Sequence, residues 1–162
     1  MSNNAGHKSS RIKLFYSLLI TLGVGAIAGF ATSSSISSWY TYLVKPGFNP
    51  PNWLFGPVWT LLYILMGISL YIVWKQSPSR YRYNAISLFF IQLFFNFCWS
   101  FIFFYFHEIG LALFDIVLLW IFILLTIIYF SKHHKNAAAL LVPYIAWVSF
   151  ATILNASIYQ LN

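Results

Sequence analysis

Five long apolar segments are the feature that most constrains the fold of this chain. They cover residues 14–36, 55–74, 83–106, 109–130 and 137–161. Each is close to the ~20 residues that a helix needs to cross a hydrocarbon core of ~30 Å. The sequence therefore predicts an all-α integral membrane protein, a bundle of five transmembrane helices. A cytoplasmic tail at residues 1–13 precedes this single membrane domain, which covers residues 14–161.

The composition agrees with a membrane protein and excludes a soluble one. Of the 162 residues, 60% are hydrophobic, 22% aromatic and only 7% charged, and the mean hydropathy is +0.77. A water-exposed surface needs roughly a quarter of its residues charged. The net charge of +7 does not indicate a nucleic-acid partner, because the basic residues stand in short clusters between apolar segments. Residues 1–10 are polar, and we expect them to be disordered.

The positions of the basic residues predict the topology. If five helices alternate in direction, one side carries eight of the nine basic residues and the other carries only Lys45. By the positive-inside rule, the N-terminus is cytoplasmic and the C-terminus lies outside. A cleaved signal peptide is an alternative interpretation of the first segment. The small residues Gly25, Ala28, Gly29 and Thr32 favour a retained helix instead, because they allow helices to pack closely within the bundle.

Residues 39–63 join the first two apolar segments and are unusually rich in aromatic residues and proline. They contain three tryptophans, three tyrosines, two phenylalanines and four prolines, with Lys45 as the single charge. Proline fixes the backbone and removes a hydrogen-bond donor, which predicts a rigid irregular loop. Aromatic faces on a rigid frame suit a flat apolar ligand.

Several polar and tryptophan side chains fall inside the predicted helices. Gln92, Asn96 and Trp99 share one helical face, and that face is expected to point inward. For Gln92 and Asn96, and for Asn155 on the fifth helix, hydrogen bonding between helices and ligand contact are equally supported. We interpret Asp115, the only acid in any span, as a carboxyl near the outer end of its helix that snorkels or bonds to that helix.

Conventional catalysis and metal binding are not predicted. Glu108 and Asp115 are the only acids, and the histidines fall in loops or the tail, so no carboxylate pair, triad or metal cluster can form at membrane depth. A haem iron needs a His, Met or thiolate ligand, and the buried candidates are only Met66 and Cys98. Stacking would therefore dominate the binding of any tetrapyrrole.

Motifs in four of the segments resemble those of the TspO/MBR family, which includes the translocator proteins and tryptophan-rich sensory proteins. The resemblance extends from the first helix to residue 161. The matching residues are Trp39, Tyr40, Leu43, Lys45, Pro46, Phe48, Pro50, Pro51, Trp53, Phe55, Gly56, Pro57, Val58, Trp59, Thr60, Tyr63, Gln92, Asn96, Trp99, Ser100, Asp115, Pro143, Tyr144, Trp147, Ala151, Leu154 and Asn155.

The resemblance implies a five-helix bundle, commonly a homodimer. It implies a porphyrin ligand, protoporphyrin IX or haem, with no obligatory cofactor, and a link to tetrapyrrole and stress regulation. The implied ligand-binding residues are Tyr40, Pro50, Trp59, Tyr63, Gln92, Asn96, Trp147 and Ala151. Light-dependent oxidative breakdown of the porphyrin is also implied, with Trp59 and Trp147 as the oxidisable residues. The animal sterol-binding pattern is absent, because no basic residue follows Tyr159. The small size of the chain and the missing sterol pattern favour a bacterial cell membrane over a mitochondrial outer membrane. A transporter or sensor of small apolar metabolites or lipids is the alternative function.

Overall fold

The computed structural model describes the backbone of residues 3–162 and the side chains of residues 10–162. Within this range the chain is helical throughout, apart from short connections, and contains no strand. Part of the N-terminal tail that we expected to be disordered lies outside the described residues, and the first helix begins at Asn3. The helices are α1 (Asn3–Ile36), α2 (Trp39–Tyr42), α3 (Asn52–Trp74), α4 (Arg80–Ser100), α5 (Ile109–His133), α6 (Lys135–Ala139) and α7 (Val142–Leu161).

Five stretches of helix are long and apolar enough to cross a membrane, which confirms the predicted fold class. They are Ser10–Ile36, Asn52–Trp74, Arg80–Tyr105, Ile109–His133 and Lys135–Leu161. Each backbone amide inside a helix is hydrogen-bonded within its own segment, as the hydrocarbon core requires. The five spans correspond one to one with the five apolar segments of the sequence.

Two interruptions of regular helix differ from the sequence-based bounds. After α4 the chain continues as a π-helical turn, Phe101–Tyr105, so two consecutive side chains, Phe103 and Phe104, are both buried. The last span is divided into α6 and α7 at residues 140–141, immediately before Pro143. Proline lacks the amide that would continue α6, but it is well tolerated in the first turn of a new helix.

The two ends of the bundle differ in chemistry. The end that we call the aromatic end contains loop 43–51 and the C-terminus, and Asn162 joins them through two hydrogen bonds to the backbone of Val44, each 3.0 Å long. The opposite end, the basic end, contains Arg11, Lys13, Lys75, Arg80, Arg82, Lys132 and Lys135. Arg82 is buried there and donates to the carbonyls of Trp74 and Gln76. The assignment of the basic end to the cytoplasm stays a prediction of the positive-inside rule.

Helices α1 and α3 pack closely near the basic end and separate toward the aromatic end. A Cβ atom added at Gly67 would lie 2.7 Å from Oγ1 of Thr21 and 3.1 Å from Cα of Leu18. One to two turns further along, a Cβ at Gly25 would collide with the ring of Tyr63. Beyond this point a Cβ at Gly29 would have no atom within 4 Å. Glycine thus permits the close approach of the two helices, as small residues do in membrane proteins generally.

The close contact at Gly67 predicts a specific loss of stability. We expect Gly67→Ala to lower the free energy of unfolding by about 1–3 kcal/mol, because the added methyl collides with the backbone of α1 as well as with side chains. Thermal unfolding of the purified protein in detergent measures this. Gly23→Ala is the matched control, since a Cβ there has nothing within 4 Å. Equal melting temperatures for the two variants would contradict the close packing.

Candidate ligand-binding site

A large cavity lies between α1 and α3 in the half of the bundle nearer the aromatic end. Its volume is about 690 Å³, within the range of roughly 300–1,000 Å³ that is typical of small-molecule sites. Six aromatic side chains with flat faces line it, namely Trp53, Phe55, Trp59, Tyr63, Trp99 and Phe104. The opposite wall is formed by small residues of α1, including Gly25, Ala28, Gly29 and Thr32. The cavity therefore has an aromatic side and a smooth side, with a shape that suits a flat molecule.

A second, much smaller chamber lies behind the cavity, toward α7. Its volume is about 20 Å³, which is enough for a single water molecule. Tyr40, Trp147 and Ala151 line this inner chamber. The cavity and the inner chamber share four lining residues, Phe55, Trp59, Trp99 and Phe104. These four side chains form the partition between the two spaces.

Helix α3 positions the aromatic wall through its spacing and its neighbours. Trp59 and Tyr63 stand one turn apart, with ring centroids 5.7 Å apart, and Trp59 also lies 6.3 Å from the ring of Tyr144. On α4, the indole of Trp99 donates to Oδ1 of Asn155 at 3.1 Å. These contacts fix the orientation of both indoles, so the aromatic wall is preorganised before any ligand arrives.

Behind the aromatic wall, four polar side chains form a continuous buried network. The hydroxyl of Tyr63 donates to Oδ1 of Asn96, whose Nδ2 donates to the Tyr144 hydroxyl at 3.1 Å. That hydroxyl in turn donates to Oε1 of Gln92 at 2.9 Å. All four residues are at most 4% exposed. The network connects α3, α4 and α7, so of the two uses considered for Gln92 and Asn96 the structure shows the hydrogen bonding between helices.

The loop 43–51 closes the aromatic end. The ammonium of Lys45 donates to the carbonyls of Tyr40 at 2.7 Å and Leu43 at 2.9 Å, and lies 4.9 Å from the centre of the Tyr40 ring. Tyr40 donates to Oδ1 of Asn49 at 2.7 Å, and burial raises the pKa of the Tyr40 phenol to about 12. The phenol therefore remains a donor at physiological pH, and the Lys45 charge is used within the loop.

The predicted site residues fall into three groups. Tyr63 lines only the cavity, Trp59 lines both the cavity and the inner chamber, and the inner chamber alone is lined by Tyr40, Trp147 and Ala151. Gln92, Asn96 and Pro50 border neither space. Pro50 lies in the loop, where its carbonyl accepts a hydrogen bond from the side chain of Asn49. Of the two tryptophans proposed for photo-oxidation, Trp59 belongs to the partition and borders both spaces, whereas Trp147 borders only the inner chamber.

Sequence reasoning did not find the α1 side of the cavity. The small size of Gly29 and Thr32 indicates helix packing, and their helical spacing is the only sequence feature that could have marked them as lining a cavity. Trp99 was placed inside the bundle without a ligand role, and its position one turn from Asn96 was the available signal. Phe104 reaches both spaces because of the π-helical turn, which no sequence pattern indicated.

Titratable groups are scarce around the cavity. Among the described residues that line it there is no His, Cys, Met, Asp, Glu, Lys or Arg. Elsewhere in the described part of the chain, no three His, Cys, Asp or Glu side chains lie together in a way that could hold a metal ion. Asp115 is 6% exposed, and its Oδ2 finds no hydrogen-bond partner among the described residues. The carboxyl is therefore buried between helices. This differs from the expectation that it would snorkel or bond to its own helix.

Comparison with known proteins identifies the family to which this architecture belongs. The model of the TspO/MBR family matches residues 17–161. The chain belongs to the TspO/MBR family. The match covers most of the first membrane span and the whole of the other four, so it includes every residue of the cavity and the loop that closes it.

Individual TspO/MBR relatives come from distant organisms. The chain is 46% identical to tryptophan-rich protein TspO of Archaeoglobus fulgidus over 93% of this chain and 97% of that protein. It is 34% identical to the tryptophan-rich sensory protein of Cereibacter sphaeroides over 92% and 91% of the two chains. It is also 34% identical to the bovine translocator protein over 91% and 88%. This family member is a multi-pass membrane protein, while a bacterial source and a homodimer stay predictions.

The buried network yields a test that separates structure from ligand contact. We expect Tyr144→Phe to reduce the free energy of unfolding by about 1–2 kcal/mol, because Asn96 loses an acceptor and Gln92 loses a donor. Melting temperature in detergent measures this loss. Tyr42→Phe is the control, because Tyr42 is 87% exposed. An unchanged melting temperature in Tyr144→Phe would contradict the structural role of the network.

Proposed function

We propose that this protein binds a planar, largely apolar tetrapyrrole such as protoporphyrin IX or haem in the cavity between α1 and α3. The observation that carries the proposal is the pairing of a cavity of about 690 Å³ with the aromatic faces of Trp53, Trp59, Tyr63 and Trp99. Aromatic pairs contribute about 0.5–1.5 kcal/mol beyond the burial of their area. A flat conjugated ring gains this contribution, whereas a saturated chain does not.

The chemistry of the wall defines how the ring is held. Because no His, Cys or Met lines the cavity, binding depends on stacking and apolar contact, and the iron of haem gains no side-chain ligand there. No basic residue lines the cavity either, and the ammonium of Lys45 is bonded to backbone carbonyls. The carboxylates of the ligand therefore lie at the end of the cavity nearest the aromatic end of the bundle, beside the polar side chains of Ser33 and Asn52.

The names of the relatives agree with a ligand-binding role. One relative is named a tryptophan-rich sensory protein and another a translocator protein. A sensor and a translocator both need a site that recognises a small molecule. We propose that in this chain the molecule is a porphyrin, and that the protein takes part in the regulation of tetrapyrrole levels.

A titration with protoporphyrin IX tests the site. The shift of the porphyrin absorption band reports binding to the purified protein in lipid nanodiscs. We expect Trp59→Leu to weaken binding about tenfold, the equivalent of ~1.4 kcal/mol, because the ring loses one stacking face. Trp74→Leu, at the basic end, is the control and should bind like the unaltered protein. Equal affinity in the two variants would contradict the placement of the site.

Comparison of haem with metal-free protoporphyrin IX tests the mode of binding. We expect their affinities to agree within about threefold, because the cavity offers no side chain to the metal. The absorption spectrum of bound ferric haem should also show no histidine or thiolate ligation. A haem affinity ten or more times higher, with a ligated spectrum, would contradict binding by stacking.

Light-dependent breakdown of the bound ring is a second candidate function. It is favoured by the position of Trp59, an oxidisable indole on the cavity wall that is not fully buried. Here the excited pigment and dioxygen supply the chemistry, and the protein supplies position. Illumination of the complex in air should bleach the porphyrin faster than illumination in empty nanodiscs. Equal rates of bleaching would leave binding alone as the function.

A further inference from the structure

The cavity opens along the side of the bundle. Its exposed rim on α1 consists of Leu22, Ala26, Gly29 and Ser33, and its exposed rim on α3 consists of Trp53, Gly56 and Thr60. Both sets repeat at the three- and four-residue spacing of one helix face. The α1 rim extends over about 16 Å of helix axis, and it lies within the span Ser10–Ile36. The slot between the two rims therefore faces the hydrocarbon part of the bilayer.

The slot results from the way α1 and α3 separate. The helices are in tight contact where Gly67 meets Leu18 and Thr21, and again where Gly25 meets the ring of Tyr63. Beyond Tyr63, Gly29 of α1 and Gly56 of α3 both line the cavity. A Cβ added at either position would have no atom within 4 Å. The helices thus form a V whose open part coincides with the cavity.

At the aromatic end, the loop 43–51 that covers the bundle is held by several hydrogen bonds. Two hydrogen bonds of 3.0 Å join Val44 to Asn162. Within the loop, Tyr40 donates to Asn49. The hydroxyl of Ser35, at the end of α1, donates to the carbonyl of Phe104. A ligand arriving from water would have to break this set of contacts, whereas one arriving from lipid meets an open slot.

We propose that the ligand enters and leaves the cavity sideways, through the slot between α1 and α3, from the pool dissolved in the bilayer. This rests on the proposed function, because it concerns the route to that same cavity. A planar ring passes edge-on between the smooth α1 rim and Trp53, which is 71% exposed. The protein accordingly samples the membrane concentration of its ligand, and ligands that partition into lipid bind faster than equally tight ligands that remain in water.

Altering one route at a time tests the proposal. Asn162→Ala removes the two side-chain hydrogen bonds that hold Val44, so it loosens the loop at the aromatic end. The association rate of protoporphyrin IX in nanodiscs is measured by stopped flow for this variant and for the unaltered protein. We expect the two rates to agree within twofold, because the ligand does not pass through the loop. A rate at least tenfold higher in Asn162→Ala would overturn the proposal.

Obstruction of the slot is the complementary measurement. Gly29→Phe places a large ring between the two rims without a collision at its own Cβ, and we expect a fall of at least tenfold in the association rate. Gly23→Phe is the matched control, since a Cβ there also has nothing within 4 Å but the residue does not line the cavity. Equal association rates for the two variants would overturn the proposal. Absence of binding by the unaltered protein would instead overturn the proposed function.

Discussion

The arrangement of this bundle depends on the buried hydrogen bonds that join Tyr63, Asn96, Tyr144 and Gln92. Inside a bilayer, apolar side chains are as well solvated by lipid as by each other, so the hydrophobic effect does not press helices together. Specific polar contacts and close packing must do so instead. The network fixes the relative rotation of α3, α4 and α7. Because Tyr63 belongs both to this network and to the cavity wall, the same bonds that hold the helices also set the shape of the site.

Helix α1 is held differently, and the cavity is the consequence. No member of the network lies on α1. The helix is instead attached by glycine contacts toward the basic end and by the bond from Ser35 to Phe104 at the aromatic end. Between these two attachments α1 carries mainly small residues, which cannot fill the space beside Trp59. The cavity is therefore a gap between two fixed points, bounded on one side by a rigid aromatic wall.

The sequence was sufficient for the number of spans but not for their irregularities. Long apolar segments predict five helices because the bilayer allows few other structures. The π-helical turn at Phe101–Tyr105 could not be predicted, since no local pattern marks it. In the structure Phe103 and Phe104 both pack against Tyr40 of α2. The division of the last span before Pro143 is easier to predict from the sequence, because a proline there signals the first turn of a new helix.

The site was predicted in part for a similar physical reason. Trp59 and Tyr63 could be predicted as site residues, because aromatic residues on an inward helix face are conspicuous in a sequence. Gln92 and Asn96 were ambiguous, because a buried amide looks the same in sequence whether it meets a ligand or another helix. Lys45 stands out in the sequence as the single charge of its loop, and in the structure it bonds to carbonyls of that same loop. Such a use of the charge depends on the turn of the backbone, which the sequence does not specify.

An opening toward lipid also explains why the wall is aromatic and not simply apolar. If the slot admits the ligand from the bilayer, the molecules displaced from the cavity are acyl chains and not water. The ligand then gains little hydrophobic free energy on entering, because it leaves one apolar medium for another. Selectivity must come from contacts that an acyl chain makes less well, and stacking on Trp59, Tyr63 and Trp99 is such a contact. The concentration of tryptophan around this cavity is the composition that recognition from within a membrane requires.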